Sequence, residues 1–264
     1  RRIEDKELSS YVSERGLGTP ATRAAIIERI ITVGYIKRSG KSLLAEEKGI
    51  KVMNTPRASS DAVAELAMAH MLSCARFISV AGHTMREGKW EKKAYKGIEI
   101  HGKTLGIVGF GRIGQALGRM AKGMGMNVIA FDIFHIPGIE EQTGINYVEM
   151  DELLAKSDFI SVHAPAVDGG AIINAANIAK MKGGVVIINP SRGTNVDEAA
   201  LLDALNSGKV YAAGLDVWAE EPSKNEALYN HPHVSCTPHI GASTTEAQKR
   251  IGAEIVDIIG KFFA

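Results

Sequence analysis

The sequence predicts an α/β protein, a Rossmann-type doubly wound parallel sheet with a short helix-plus-hairpin segment standing ahead of it. Three observations carry that prediction. From Lys103 onward, short apolar runs alternate with helical stretches, as in a parallel sheet covered on both faces. The turn Gly109-Phe110-Gly111-Arg112-Ile113-Gly114 sits between the first of those runs and its helix. The next run ends in an acid, Asp132, about 20 residues beyond the glycines.

The composition allows this fold and excludes others. The chain has 264 residues, 45% of them apolar and 23% charged, as in ordinary globular proteins. A formal net charge of +1 supplies no global field toward nucleic acid or a membrane surface. Cys74 and Cys236 lie far apart in apolar runs and are expected to be buried, reduced thiols. No window approaches the roughly 20 apolar residues of a membrane span. The opening RRIEDKELSS lacks the apolar region of a secretory signal. The expectation is a soluble, cytoplasmic protein without a membrane partner.

Residues 1–44 contain one clear helix. Thr19 can cap it, Pro20 suits its first turn, Ile27 and Ile31 mark its apolar stripe, and Gly34 ends it. YIKRSGKSLL then reads as two short strands around Ser39-Gly40. So small a piece seldom buries enough apolar surface to fold alone. The character of the chain changes within LAEEKGIKVMNTP, residues 44–56. Asp61 opens a helix, DAVAELAMAHMLSCARFI, that is apolar almost all round and is therefore buried, within the fold or in a subunit interface. REGKWEKKAYKG is a polar connector. The strands are TLGIVGF, NVIAFD, DFISVHA, GVVIIN, VYAAGLDV and HVSCTP. The helices between them include RIGQALGRMAKGMG, MDELLAKS and VDEAALLDALNSG, and TTEAQKRIGAEIVDIIGKFFA closes the chain as one amphipathic helix. The expected division is residues 1–47, a dinucleotide-binding domain over 48–250, and a final helical piece over 251–264.

The glycine turn has a specific chemistry. Gly109 permits the tight turn, Gly111 lets backbone approach a pyrophosphate, and Gly114 lets helix and strand pack closely. The helix N-terminus adds amides and positive potential. Asp132 can accept hydrogen bonds from ribose hydroxyls and would repel a 2′-phosphate, so NAD is favoured over NADP. Three polar residues stand just past later strands, where ligands bind in such sheets: Arg192 in INPSRG, Glu221 in WAEEP and His239 in PHIGAS. Each alone has a bland explanation, as an ion pair, a solvated acid or a satisfied histidine. Together, beside a nicotinamide site, they form an oxidoreductase set. His239 would exchange a proton with a substrate oxygen, and Glu221 would fix its tautomer and favour its protonated form. Arg192 would clamp a carboxylate and polarise a carbonyl. The pattern calls for no metal.

From about Lys48 to its end the chain resembles the D-2-hydroxyacid dehydrogenases, most closely their phosphoglycerate dehydrogenase branch. The resemblance is carried by GIKVMNTPRASSDAVAELA, GKTLGIVGFGRIGQALGRMAKGMGM, INPSRGTNVDEAALLDAL, AAGLDVWAEEP and TPHIGAS. It implies Arg192, Glu221 and His239 as the catalytic trio. It also implies NAD contacts from Gly109, Gly111, Arg112, Ile113, Gly114, Asp132, Ala164, Pro190, Ser191 and Asp216, and from the loop His239, Ile240, Gly241 and Ala242. Further implications are a small 2-hydroxy or 2-oxo acid substrate, 3-phosphoglycerate in that branch, and a homodimer. Two departures stand out: Pro165 is followed by AVDGG where the family has PLTxxT, and residues 1–47 hold no counterpart of the family's GxGxDNxD turn. Residues 1–44, centred on GLGTPATRAAIIE, instead resemble a fragment of a bacterial type IA topoisomerase of the topoisomerase III kind. Neither Tyr11 nor Tyr35 has the setting of that family's nucleophile, so strand cleavage is not expected. Arg23, Arg29, Lys37, Arg38 and Lys41 read first as a solvated face, and nucleic acid is not the expected partner. Two alternatives stay open: an NAD-binding protein without turnover, and a nucleic-acid-binding fusion through residues 1–44.

Overall fold

The computed structural model describes residues 36–39, 42–45, 53, 55, 57–166 and 169–263. It divides into two compact units, Ser60–Gly241 and a second drawn from the chain on either side of that stretch. In the second unit, β1 (Ile36–Ser39) and β2 (Ser42–Ala45) pair antiparallel with Ser39 opposite Ser42, the hairpin expected from YIKRSGKSLL. The helix expected at residues 20–33, together with Arg23, Arg29 and Lys41, lies outside the described residues. The chain's last helix, here α9 (Thr245–Phe263), belongs to this same unit, and its Arg250 donates from Nε to the Ala58 carbonyl at 2.8 Å.

The unit Ser60–Gly241 is a seven-stranded sheet. Its strands are β3 (Thr104–Val108), β4 (Asn127–Phe131), β5 (Asn146–Tyr147), β6 (Phe159–Val162), β7 (Val185–Asn189), β8 (Val210–Leu215) and β9 (Val234–Cys236). They lie in the order β5-β4-β3-β6-β7-β8-β9, and every adjacent pair is parallel. Chain order reverses between β3 and β6, which opens a crevice beyond their carboxyl ends.

The two-residue repeat of each strand sorts the core. Leu105, Ile107, Val186 and Ile188 face one cluster, which is completed by Ala64, Met68 and Met71 of α1 (Ser60–Arg76) and Leu117 of α3 (Arg112–Gly123). Val108, Ile160, Val185 and Ile187 face the other. There Leu153 of α5 (Met150–Lys156), Ile178 of α6 (Ala175–Lys180) and Leu201 of α7 (Glu198–Asn206) cover them. Both faces are therefore dry, and for that reason the central strands read as continuous apolar runs.

The helix opened by Asp61 is buried within the fold, against α3 and strands β7 to β9. It does not run on to Ile78 as expected. Phe77 takes a left-handed conformation (φ 56°), and a separate helix, α2 (Ile78–Arg86), follows over the stretch left unassigned ahead of the polar connector that starts at Arg86. The Phe77 ring packs edge-on against Tyr211 and His233 with centroids 5.8 and 5.3 Å away, an anchoring that offsets the backbone cost. Four short elements carried too little periodicity to be read: α4 (Ile139–Thr143), the edge strand β5, α6 and α8 (Glu226–Tyr229). Cys74 is buried as expected and burial pushes its thiol up to about 12, whereas Cys236 is only half-buried. Among the described residues no single helix is long and apolar enough to cross a membrane.

Candidate active site

The first component is the turn between β3 and α3. Gly109 has φ 93°, and a Cβ there would come within 2.7 Å of the Ala164 amide nitrogen and the His163 carbonyl carbon. The turn is thus pressed onto the exit of β6, which only a glycine permits. A Cβ at Gly114 would run into the Gly109 carbonyl, so the first turn of α3 sits hard against the strand. At Gly111 the same test meets no atom within 4 Å. Among the described residues nothing fills the space on that side. Arg112 is exposed and Ile113 half-buried in the first turn of α3, which has neither a side-chain cap nor an acidic residue. Its positive end is available to an anion. The Asp132 carboxylate is fixed beside the turn by the Phe110 amide at 2.7 Å and the Phe134 amide at 3.0 Å.

The exits of β6 and β7 are tied together by two buried asparagines. Asn195 donates to the Ala164 carbonyl at 2.9 Å and to Ser191 Oγ at 3.0 Å. Asn189 accepts from the Ser191 hydroxyl at 2.7 Å and donates to the Arg192 carbonyl at 2.9 Å. Ala164, buried Pro190, Ser191 and Arg192 are thereby brought to one end of the sheet. Arg192 is exposed, with Nη1 donating to the Ser191 carbonyl at 2.6 Å. The next residue, Gly193, lies so close to the Trp218 carbonyl that a Cβ could not fit. That approach sets the Arg192 loop against the turn carrying Glu221.

The turn after β8 and the exit of β9 form the third component. His239 Nδ1 lies 2.8 Å from Glu221 Oε2, and Glu221 Oε1 accepts from the Trp218 amide at 3.2 Å. A carboxylate only accepts, so Nδ1 carries the hydrogen and the neutral ring keeps a lone pair on Nε2. Glu198 braces the same turn from α7, accepting from the Ala219 amide and from the Asn225 side chain, both at 2.8 Å. Asp216 is 1% exposed. Its Oδ1 accepts from Ile240 N at 2.8 Å and Thr237 Oγ1 at 2.6 Å, and its Oδ2 accepts from Gly241 N at 2.8 Å. Its own carbonyl accepts from His239 N at 2.8 Å, so Asp216 grips the backbone around His239 from both sides. Ala242 falls in the other unit, where its carbonyl accepts from Gln248. A cavity of about 440 Å³ adjoins the pair, walled by His239, Glu221, Trp218, Tyr229, Cys236 and Pro238. Among the described residues no lysine or arginine lines it.

Sequence reasoning missed Asn189, Asn195, Glu198 and Trp218. Asn189 had a legible signal, since an asparagine ending the apolar run GVVII is placed to bond the turn that follows. Glu198 had none, because its acceptors are used 21 and 27 residues away.

The sequence family described as D-isomer specific 2-hydroxyacid dehydrogenase, NAD binding domain, matches residues 68–241. The DNA topoisomerase family matches residues 1–73, running beyond the segment expected from the sequence. Hydroxypyruvate reductase of Thermotoga maritima is 50% identical over 274 aligned residues, covering 98% of this chain and 88% of that protein. D-3-phosphoglycerate dehydrogenase of Methanocaldococcus jannaschii is 43% identical over 92% of this chain, which spans only 48% of that relative. Among solved structures, a glyoxylate reductase from Paecilomyes thermophila is 40% identical with TM-score 0.75, over 80% of this chain and 64% of that one. D-lactate dehydrogenase from Aquifex aeolicus, solved with NAD and lactic acid, is 30% identical with TM-score 0.72, over 82% of this chain and 70% of that one. The chain belongs to the D-isomer specific 2-hydroxyacid dehydrogenase family and carries its NAD-binding domain.

Proposed function

We propose that the chain interconverts a small 2-hydroxy acid and its 2-oxo acid, with His239 as the acid/base group. The observation that carries the reading is the 2.8 Å contact between His239 Nδ1 and Glu221, which leaves Nε2 as the basic nitrogen. NAD, when bound, accepts the hydride in oxidation and, as NADH, returns it in reduction. His239 Nε2 takes the hydroxyl proton as the carbon–hydrogen bond is given up, and restores it to the oxygen in the reverse direction. Glu221 orients the ring and offsets the imidazolium charge that forms. Arg192 pairs with the substrate carboxylate and polarises the adjacent carbonyl.

Gly111 and the amides of Arg112, Ile113 and Gly114 would hold the cofactor's pyrophosphate, and Asp132 would accept from its ribose hydroxyls. Two features support this: the space beside Gly111 that no described residue fills, and the uncapped helix end. Ala164, Pro190, Ser191, Asp216 and the loop His239–Gly241 would take the nicotinamide half.

For the substrate we favour a short uncharged side chain, as in hydroxypyruvate or glyoxylate, over the phosphorylated 3-phosphoglycerate pair. Among the described residues that line the cavity beside the pair, none is a cation that would meet a phosphate. Identity with the hydroxypyruvate reductase, which this chain spans for 88% of its length, supports the same choice. A homodimer is proposed through α2 and the connector after it, where Ile78 is 59% exposed, Met85 52% and Trp90 79%. A second reading, cofactor binding without turnover, is favoured by the topoisomerase match ahead of the NAD-binding domain.

One experiment separates these readings. NADH binding is followed by fluorescence, and its oxidation by hydroxypyruvate, glyoxylate and 3-phosphohydroxypyruvate is followed by absorbance, for wild type and His239→Asn. Turnover fastest with an unphosphorylated acid and lost in the variant supports the first reading. Binding without turnover of any acid selects the second, and turnover unaffected by the substitution sinks the assignment of His239.

A further inference from the structure

His70 sits where the fold has no need of a polar side chain. It lies on α1 with 3% of its surface exposed, pressed against the sheet over Gly214, where a Cβ would stand 2.6 Å from its own. Space for the imidazole therefore depends on a glycine in β8. Both ring nitrogens are engaged on β9 and its exit: Nδ1 with Ser235 Oγ at 3.0 Å and Nε2 with Thr237 Oγ1 at 3.0 Å. The direction of each bond follows by elimination. Thr237 gives its only hydroxyl hydrogen to Asp216 Oδ1 at 2.6 Å, so it can only accept from His70. Nε2 therefore carries the hydrogen. Burial lowers the affinity of this ring for a second proton, so Nδ1 accepts from Ser235. The result is one directed chain: Ser235 to His70 to Thr237 to Asp216.

That chain ends on the backbone that aims His239. His239 is a non-glycine residue at φ 57°, a left-handed conformation that a side chain disfavours and that persists only when its surroundings impose it. The surroundings here are the three bonds from His239 N, Ile240 N and Gly241 N to Asp216. With Thr237 released, its hydroxyl can turn away and Asp216 loses the donor that sets the rotation of its carboxylate.

We propose that His70 is a positioning residue for His239, acting through Thr237 and Asp216 to hold the catalytic loop in its left-handed conformation. The proposal rests on the reading of His239 as the acid/base group, and it names a residue that touches neither substrate nor cofactor. What matters is the donor at Nε2. A glutamine can place an N–H near that point, whereas an asparagine reaches only as far as Nδ1 and abandons Thr237.

The test compares His70→Gln with His70→Asn in the full chain. The first readout is amide hydrogen exchange at Ile240 and Gly241, with Phe110 as an internal control, since its amide also bonds a carboxylate but lies on the other side of the sheet order. The second is the separation of kcat from the KM for NADH. The expected result is exchange at Ile240 and Gly241 faster by about tenfold or more in His70→Asn and close to wild type in His70→Gln. Phe110 should be unchanged in both. With that, kcat should fall roughly 10- to 100-fold in His70→Asn alone, as for displacement of a reacting group by about an ångström, with little change in the KM for NADH. Equal exchange at Ile240 and Gly241 in wild type and His70→Asn overturns the proposal. So does an equal rise at all three amides, which marks a general loss of stability. Should His239→Asn prove as active as wild type, the acid/base reading fails while the exchange result still decides whether His70 holds the loop.

Discussion

Acidification should destabilise this protein, and His163 is the buried histidine whose share can be worked out. It lies at the exit of β6 beneath the glycine turn. Its Nε2 bonds Ser161 Oγ at 2.8 Å, while Nδ1 is shielded from solvent with no hydrogen-bond partner. Burial drives the ring from the ordinary 6.5 down to about 3, so the folded protein keeps it neutral. In the unfolded chain the same ring binds a proton near its ordinary value. Between these limits the unfolded state carries the extra proton. The stability present above about pH 6.5 is therefore lost progressively as pH falls, and the loss levels off below about pH 3. Each unit is worth about 1.4 kcal/mol, so His163 alone should remove about 2 kcal/mol at about pH 5. For a domain of this size that corresponds to a fall in Tm of roughly 4–8 °C. The assay is urea unfolding at about pH 7.5 and pH 5 for wild type and His163→Gln, read by circular dichroism. Other titrating groups are common to both proteins and cancel in the comparison. Wild type should lose about 2 kcal/mol more than the variant between the two pH values. Equal losses would mean that the ring is hydrated or protonated in the folded state, and the reasoning would be refuted.

Glu221→Gln keeps the shape of the pair but presents His239 with a neutral partner, so kcat should drop roughly 100-fold or more with NADH affinity unchanged. Steady-state kinetics beside a fluorescence titration check this, and a parallel loss of NADH binding would contradict it. Asp132→Ala removes the acceptor held beside the glycine turn by Phe110 N and Phe134 N. NADH should bind about tenfold more weakly, about 1.4 kcal/mol, and the preference over NADPH should shrink; titration with both cofactors decides. Trp90→Ala removes a side chain that is 79% exposed on the proposed subunit contact. Light scattering across a dilution series should show the variant dissociating at higher concentration than wild type, and a wild-type monomer throughout would end the dimer proposal.

The sheet was legible because its physics is local. A central parallel strand is buried on both faces, so GVVIIN and DFISV reveal themselves without knowledge of their neighbours. The glycine turn was legible for a similar reason, since its demands on φ and on close approach are written in three residues. Phe77 was not, because its left-handed backbone depends on rings contributed by Tyr95, Tyr211 and His233. His70 reads as one more position on an apolar helix face; its partners are 165 and 167 residues away. Residues that face a ligand thus declare themselves by their place at strand ends. Residues that brace them are chosen by the packing of distant segments, and no local pattern records that choice.

This difference bears on which kinetic quantity the unusual front of the chain can affect. Glu221, Trp218, Asp216, Thr237 and His70, which orient and hold His239, all lie within Ser60–Gly241. So do the glycine turn and Asp132. On the proposed assignment, proton transfer and most of the cofactor grip would therefore depend on one compact unit whose geometry is fixed by its own core. Substrate anchoring is different: within this unit Arg192 is the only cation assigned to the substrate carboxylate, and one exposed guanidinium gives modest affinity. Binding that is equally strong in the ground and transition states appears in KM and leaves kcat unchanged. A chain whose residues 1–73 match another family should, on this argument, show an impaired KM for the acid, a near-normal affinity for NADH and a kcat that remains sensitive to His239 and Glu221. A normal KM combined with a negligible kcat would reverse the argument, since it would place the defect in the unit that carries the acid/base pair.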